Sequence, residues 1–290
     1  DMYFGNAELL IIQDQAARTV GLQNIIEPFI RDYSVRDTLL VVVSREDTAK
    51  AILENSPSLD KVVSYDVSGA LNWQPSGANS LRSLEIFEIY YDLKRDTDSV
   101  ALPAFSSTDA KDIPEPELDG MALFQRDRLV GFLNNELVPN FMYVVEKLER
   151  GTYSFHMDGD EKKKVTLQVS SSKPSLSFQK RGEGLVYTAL IKVKANISSL
   201  SPEIGDLDEE LIKTIQDQAA MDLSGRITET VKQIQKTTQT DVFGFGKAVY
   251  QQDPAYWKTI QERRIELFTD AEIQVQATFE IDRTGFLIKF

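Results

Sequence analysis

From Leu207 to Ile234 the apolar residues Leu207, Leu211, Ile215, Ala219, Leu223, Ile227, Val231 and Ile234 recur every four residues and finally every three, which predicts one long amphipathic helix. Asp208, Glu209 and Glu210 fall in its first turn and complement the helix dipole. Gly225 sits in mid-helix at a cost of roughly 1 kcal/mol relative to alanine. A stripe of this length needs an equally long surface to cover it. The flanking sequence offers strands: Lys164 to Ser170 alternates, Leu176 and Phe178 mark another run, and Tyr187, Ala189, Ile191, Val193, Ala195 and Ile197 keep period two. At the end of the chain Ile273, Val275, Ala277, Phe279 and Ile281 alternate against Glu272, Gln274, Gln276, Thr278 and Glu280. The expected architecture is an antiparallel sheet with one wet face and the other packed on the long helix.

The first hundred residues read differently. Leu9 to Ile12 is a compact apolar run, and Ala16, Ala17, Val20, Ile25, Ile26 and Phe29 follow at helical spacing, with Gly21 as a break or kink and Pro28 near the end. Leu39 to Val43 reads as a strand buried on both faces, and Ser44 as the cap of a helix carrying Ala49, Ile52 and Leu53. Strand, helix, strand, helix predicts a parallel pair with a right-handed crossover. The turns after the strands, Gln13-Asp14-Gln15 and Ser44-Arg45-Glu46, hold no glycine, so no phosphate cradle is expected. A helix over about Leu81 to Lys94 should bury Leu84, Phe87 and Tyr91, with Ile86 and Tyr90 beside them. Ser106 to Asp119, with two prolines and five acidic residues, reads as a linker. After it, Met121 to Phe124 and Leu129 to Leu133 are the arms of a β-hairpin around Gln125 to Arg128, and Asn135 to Leu148 reads as a helix with Pro139 in its first turn. The fold class is therefore mixed α+β: an N-terminal α/β-like domain over residues 1–108, a middle hairpin-helix domain over 115–150, and a C-terminal domain of sheet plus long helix over 151–290.

Composition narrows the chemistry. The longest aliphatic run, Leu39 to Val43, is far shorter than the ~18 residues of a membrane span, so the fold reads as soluble. With 32 basic against 45 acidic residues the net charge is −13, which repels nucleic acid and anionic bilayers. The absence of cysteine excludes disulfides, thiolate metal sites and thiol catalysis. His156 is the only histidine, and no serine lies in a Gly-x-Ser-x-Gly elbow. Asp158-Gly-Asp160-Glu161 opens like a calcium loop, yet Lys162, Lys163 and Lys164 stand where further oxygen ligands belong, so it reads as a solvated turn. Gly244-Phe245-Gly246 reads as a C-terminal turn after the long helix, and Pro254 to Phe268 as a shorter helix with Trp257 as a core anchor. No catalytic residue, metal site or cofactor is expected. Trp73, flanked by Pro75 and Gly77 in the polar stretch 72–80, is the expected partner anchor.

Several ordered segments together resemble the Ger(x)C family, the C subunits of bacterial spore nutrient-germinant receptors. The hairpin Asp119-Gly120-Met-Ala-Leu-Phe124-Gln-Arg-Asp-Arg128-Leu-Val-Gly131-Phe-Leu133 is similar to the family's Gly-Leu-Ala-Val-Phe-x-x-Asp-Lys-Leu-Val-Gly-x-Leu segment, with Arg128 in place of lysine. Asp241-Val-Phe-Gly244-Phe-Gly246 followed by Pro254 and Trp257 resembles its glycine turn and Pro-x-x-Trp-Lys helix start, and Ile281 to Gly285 fits its end. Ala16 to Gly21 and Arg31, Asp32 and Arg36 resemble its first-domain helix and turn. Gly120, Phe124, Gly131, Gly244, Gly246, Pro254 and Trp257 are the positions expected to serve the fold.

The resemblance implies a lipoprotein without enzymatic activity, anchored on the outer side of the spore inner membrane. It would act in germination with two membrane-embedded partners, the A and B subunits. Family members begin with a lipoprotein signal ending in cysteine, so Asp1 is expected to open a trimmed, soluble part of such a protein. No small-molecule ligand is expected for the chain alone, because no sequence cluster combines a cation, a carboxylate and apolar walls. The alternative from another class is an extracellular solute-binding or carbohydrate-processing protein.

Overall fold

The computed structural model describes residues 4–56, 62–72, 85–95, 99–108 and 114–284. The described residues divide into two compact units, one holding those as far as Val138 together with Ile234–Thr269, the other Pro139–Gln233 and those from Asp270.

The first unit opens with β1 (Leu9–Gln13), α1 (Asp14–Thr19) and α2 (Leu22–Arg31), separated at Gly21, whose φ of 92° ends one helix and starts the next. Next come β2 (Leu40–Ser44), α3 (Ala49–Leu53), α4 (Val63–Asn72), α5 (Ile86–Leu93), β3 (Ala101–Ser107), β4 (Pro116–Gln125) and β5 (Arg128–Leu133). They form one sheet in the order β1-β2-β3-β4-β5, parallel from β1 to β3 and antiparallel from β3 to β5. Every residue of β2 is buried, because helices cover both faces: Val41 and Val43 pack with Leu22, Ile26, Ile86 and Ile89, while Leu40 and Val42 pack with Ile52, Val63 and Val67.

Three local readings change. The Ser44 hydroxyl accepts from the Glu46 amide at 3.1 Å, but α3 starts later, where Thr48 Oγ1 accepts from the Ala51 amide at 3.1 Å. Ser44 thus shapes the turn and Thr48 caps the helix. In α5 the fully buried residues are Ile86 and Ile89, whereas Tyr91 is 59% exposed and Phe87 and Tyr90 are half-buried. The Glu85 amide donates to the Glu88 carboxylate at 3.1 Å, which fixes the helix start and so turns the apolar face toward 86 and 89. Leu84 lies outside the described residues. The acidic stretch read as a linker closes a hairpin: Ser107 pairs with Pro116, and the Thr108 amide donates to the Glu115 carbonyl at 2.9 Å.

The second unit contains α6 (Val138–Val145), preceded by a 3-10 turn at Asn135–Leu137, then β6 (Gly151–His156), β7 (Lys164–Arg181), β8 (Gly184–Leu200) and the long helix α7 (Glu209–Thr237). The runs around Lys164 and Leu176 are one 18-residue strand, because register shifts near Val169 and Ser171 let β7 follow β8 from Leu200 to Gly184. The chain then supplies α8 (Phe245–Gln252), α9 (Pro254–Ile260) and α10 (Arg264–Asp270) to the first unit, and β9 (Glu272–Thr284) to the second. The sheet order is β6-β7-β8-β9, antiparallel through β8 and closed by β9 parallel to β8. The sheet packs on α7, whose Ile215, Ala219, Leu223, Ile227 and Val231 are fully buried. Side chains of α7 also reach the outer edge of β9: Ser224 Oγ accepts from the Ala277 amide at 2.8 Å and Gln216 Oε1 from the Ile281 amide at 2.9 Å. Edge donors that would template a further strand are thereby occupied.

Candidate functional site

The motif residues of the first unit gather around the β4–β5 hairpin. Gly120 has a φ of 85°, and a Cβ there would collide with the Leu133 carbonyl oxygen across the hairpin. Only glycine satisfies both demands. Phe124 is fully buried, and its carbonyl accepts from the Thr240 hydroxyl at 3.1 Å. Gly131 faces the Thr238 methyl, which a Cβ would approach to 2.6 Å. The hairpin is thus closely fitted to the segment that follows α7.

That segment holds a buried carboxylate. Asp241 Oδ1 accepts from the amides of Gly244 and Phe245 at 3.0 and 3.1 Å, and Oδ2 from the amide of Gly246 at 2.6 Å. Burial pushes its carboxyl above the ordinary value, opposed by these backbone donors. Gly244, at a φ of 88°, is the N-terminal cap of α8. The glycine pair therefore starts a helix instead of ending one, a correction to the sequence reading. The usable signal was Asp241 placed three residues ahead of Gly244, the spacing of a side-chain cap. The amides that a phosphate would use at this helix start are taken by the chain's own carboxylate. In α9 Pro254 occupies the first turn, Asp253 Oδ1 accepts from the Tyr256 amide at 2.9 Å, and Trp257 is buried with its ring against Gly246. Trp73 and Pro75 lie outside the described residues.

In the second unit the sequence reading missed a polar cluster. The Tyr153 hydroxyl donates to Asp222, Arg226 Nε lies 2.9 Å from the same carboxylate, and the Arg226 guanidinium stands 5.5 Å from the Tyr153 ring centre. Tyr143 meets Tyr153 edge-on at 6.1 Å. Burial first, and the Asp222 carboxylate second, push the Tyr153 hydroxyl far above its ordinary value. A phenol held protonated in this way anchors β6 to α7 and is unsuited to proton transfer near neutral pH.

The remaining candidates form no reaction centre. His156 is exposed at the end of β6. Asp158 pairs with Lys163 Nζ at 3.0 Å and accepts from Gln218 Nε2 at 2.7 Å, which together hold its carboxyl below the ordinary value. A lysine and an amide of α7 thus occupy the loop where a cation would sit. Among the described residues no group of histidine, aspartate and glutamate is placed to hold a metal ion, and no helix is long and apolar enough to cross a membrane.

Comparison with known proteins extends over both units. Residues 119–285 match the family described as "Spore germination B3/ GerAC like, C-terminal", and residues 1–107 match "Spore germination protein N-terminal domain". The chain is 23% identical to spore germination protein KC of Bacillus subtilis (strain 168), over 98% of this chain and 73% of that protein. It is 22% identical to spore germination protein GerQC of Bacillus cereus, over 82% of this chain and 64% of that protein. The crystal structure of the GerBC protein superposes with a TM-score of 0.71 at 15% identity, covering 97% of this chain and 81% of that one.

Proposed function

Because this chain belongs to the GerAC-like spore germination family, the C subunits of germinant receptors, we propose that it is a non-catalytic, lipid-anchored subunit that helps assemble a receptor and couples nutrient sensing to germination. The ordered pair of family matches along the chain carries the reading. Support comes also from the structural use of the conspicuous motif residues: Gly120, Gly131, Asp241, Gly246 and Trp257 are spent on close packing and helix capping. Its partners are the membrane-embedded A and B subunits, and its own place is on the outer side of the spore inner membrane.

The contact is assigned to the polar segment 72–80, with Trp73 and Pro75 as its centre, since tryptophan is among the residue types most enriched at interface hot spots. The test is copurification of the full-length lipoprotein with its two membrane partners, followed by crosslink mapping. Recovery of all three together, with crosslinks to the 72–80 segment and loss of recovery in Trp73→Ala, is the expected result. A lipoprotein recovered alone from spores that contain both partners overturns the assembly role. Unchanged recovery and germination in Trp73→Ala moves the contact elsewhere.

A further inference from the structure

The first unit carries a polar pocket of ≈ 440 Å³, and three arginines from separate elements line it. Arg95 comes from just beyond α5, Arg126 from the β4–β5 turn, and Arg264 from the start of α10. Two are steered by neighbours: Arg95 Nη1 lies 3.3 Å from Asp92 Oδ1, and Arg264 Nη1 donates to the Gln261 carbonyl at 2.9 Å. Arg126 occupies its turn at a φ of 55°, a left-handed conformation for which glycine, asparagine or aspartate is the ordinary choice. Arg126 thus places a long cation where a small residue would relieve the backbone.

The lining contains two carboxylates, Asp127 and Glu262, but Asp127 lies 3.8 Å from the guanidinium of Arg128, which is not itself among the lining residues. Arg95 is likewise paired with Asp92 outside the lining, and within it the three arginines exceed the two carboxylates by one positive charge, in a chain whose net charge is −13. The volume falls within the ~300 to 1,000 Å³ of small-ligand sites. Leu93 is the one apolar residue among the described lining, so recognition here works through charge and hydrogen bonds.

We propose that this pocket binds a small oxyanion, a carboxylate or phosphate group on a compact polar solute, gripped by Arg126 and Arg264 with Arg95 beside them. Guanidinium forks match the paired oxygens of both groups, which ammonium does not. The inference stands independently of the receptor reading.

The test titrates the whole chain with inorganic phosphate, and separately with succinate, by calorimetry and amide NMR at ionic strength held constant with sodium chloride. Expected is saturable one-site binding of at least one probe with a dissociation constant below ~1 mM, with shifts centred on residues 93–95, 126–127 and 261–264. Arg126→Gln and Arg264→Gln should each weaken it about tenfold or more, at unchanged melting temperature. Absence of saturation by either probe overturns the proposal, as does undiminished affinity in both variants. A hexaglutamate peptide is the third arm. Binding of the peptide alone, with the same arginine dependence and no affinity for the free solutes, overturns the solute assignment in favour of an acidic protein partner.

Discussion

The indole ring of Trp257 lies so close over Gly246 that a Cβ at 246 would stand 3.2 Å from its Cη2 atom. The same backbone position donates to Asp241, so α8 and α9 are locked by one glycine that both admits the ring and completes the cap. Trp257 is 3% exposed, and truncation to alanine should cost about 3 to 5 kcal/mol. At this chain length that is a melting temperature lower by roughly 6 °C or more. A Trp257→Ala protein that melts like the wild type would show that the packing contributes nothing.

Two glycines should respond to alanine with opposite signs. Gly120 combines a φ of 85° with a backbone carbonyl in the path of any Cβ, so Gly120→Ala should destabilise by about 3 kcal/mol or more. Gly225 lies within α7 with open space around a Cβ, so Gly225→Ala should stabilise by about 0.4 to 1 kcal/mol. Urea midpoints of the two variants decide this. A loss of stability at 225 would mean that the glycine serves something other than the helix.

These contrasts show what the sequence carries and what it does not. The four-residue stripe from Leu207 announces α7 because helical period is a local backbone property. The phase of α5 is misread because it hangs on the exact start, which Glu85 and Glu88 set through a backbone bond. The parallel pairing of β9 with β8 is invisible, since it depends on α7 running back antiparallel to both strands before α8 to α10 and β9 follow. At the candidate site, Gly120 and Gly246 stand out as punctuation and Asp241 as the head of the glycine-turn segment, but the segment reads as a helix end and the carboxylate's burial is not legible. Its role exists only once the next turn offers it three amides. Arg95, Arg126 and Arg264 are too far apart in sequence for any local pattern to unite them.

Tyr153 tests the polar cluster on α7. Its hydroxyl donates to a carboxylate inside a largely apolar setting of Tyr143, Phe155 and Phe279. Tyr153→Phe keeps the ring stacking and removes only that donor, so the expected loss is about 1.5 to 3 kcal/mol, the range for bonds to charged groups. The double variant Tyr153→Phe with Asp222→Asn should lose less than the sum of the two singles. Additive losses measured by denaturation would show that the two groups are not coupled.

Asp241 gives the chain a pH dependence of distinctive sign. Burial raises its folded pKa above the unfolded value of ~3.9. The stability from this group is therefore complete below ~3.9 and is lost as pH rises through the higher folded value. Asp158, Glu27 and Glu266 work the other way, since Lys163, Arg31 and Arg263 hold them below their ordinary values and their contribution is lost as pH falls. Asp241→Asn removes the first effect and leaves the others in place. Asparagine offers one acceptor oxygen where the carboxylate offers two, so the variant should be weaker at every pH. The wild-type advantage should nevertheless be largest near pH 4 and should narrow as pH rises toward 8. Urea midpoints for both proteins across that range measure the difference directly, and the shared contributions of Asp158, Glu27 and Glu266 cancel. An advantage that grows with pH would mean that the amides of Gly244, Phe245 and Gly246 outweigh burial and hold Asp241 below its unfolded value.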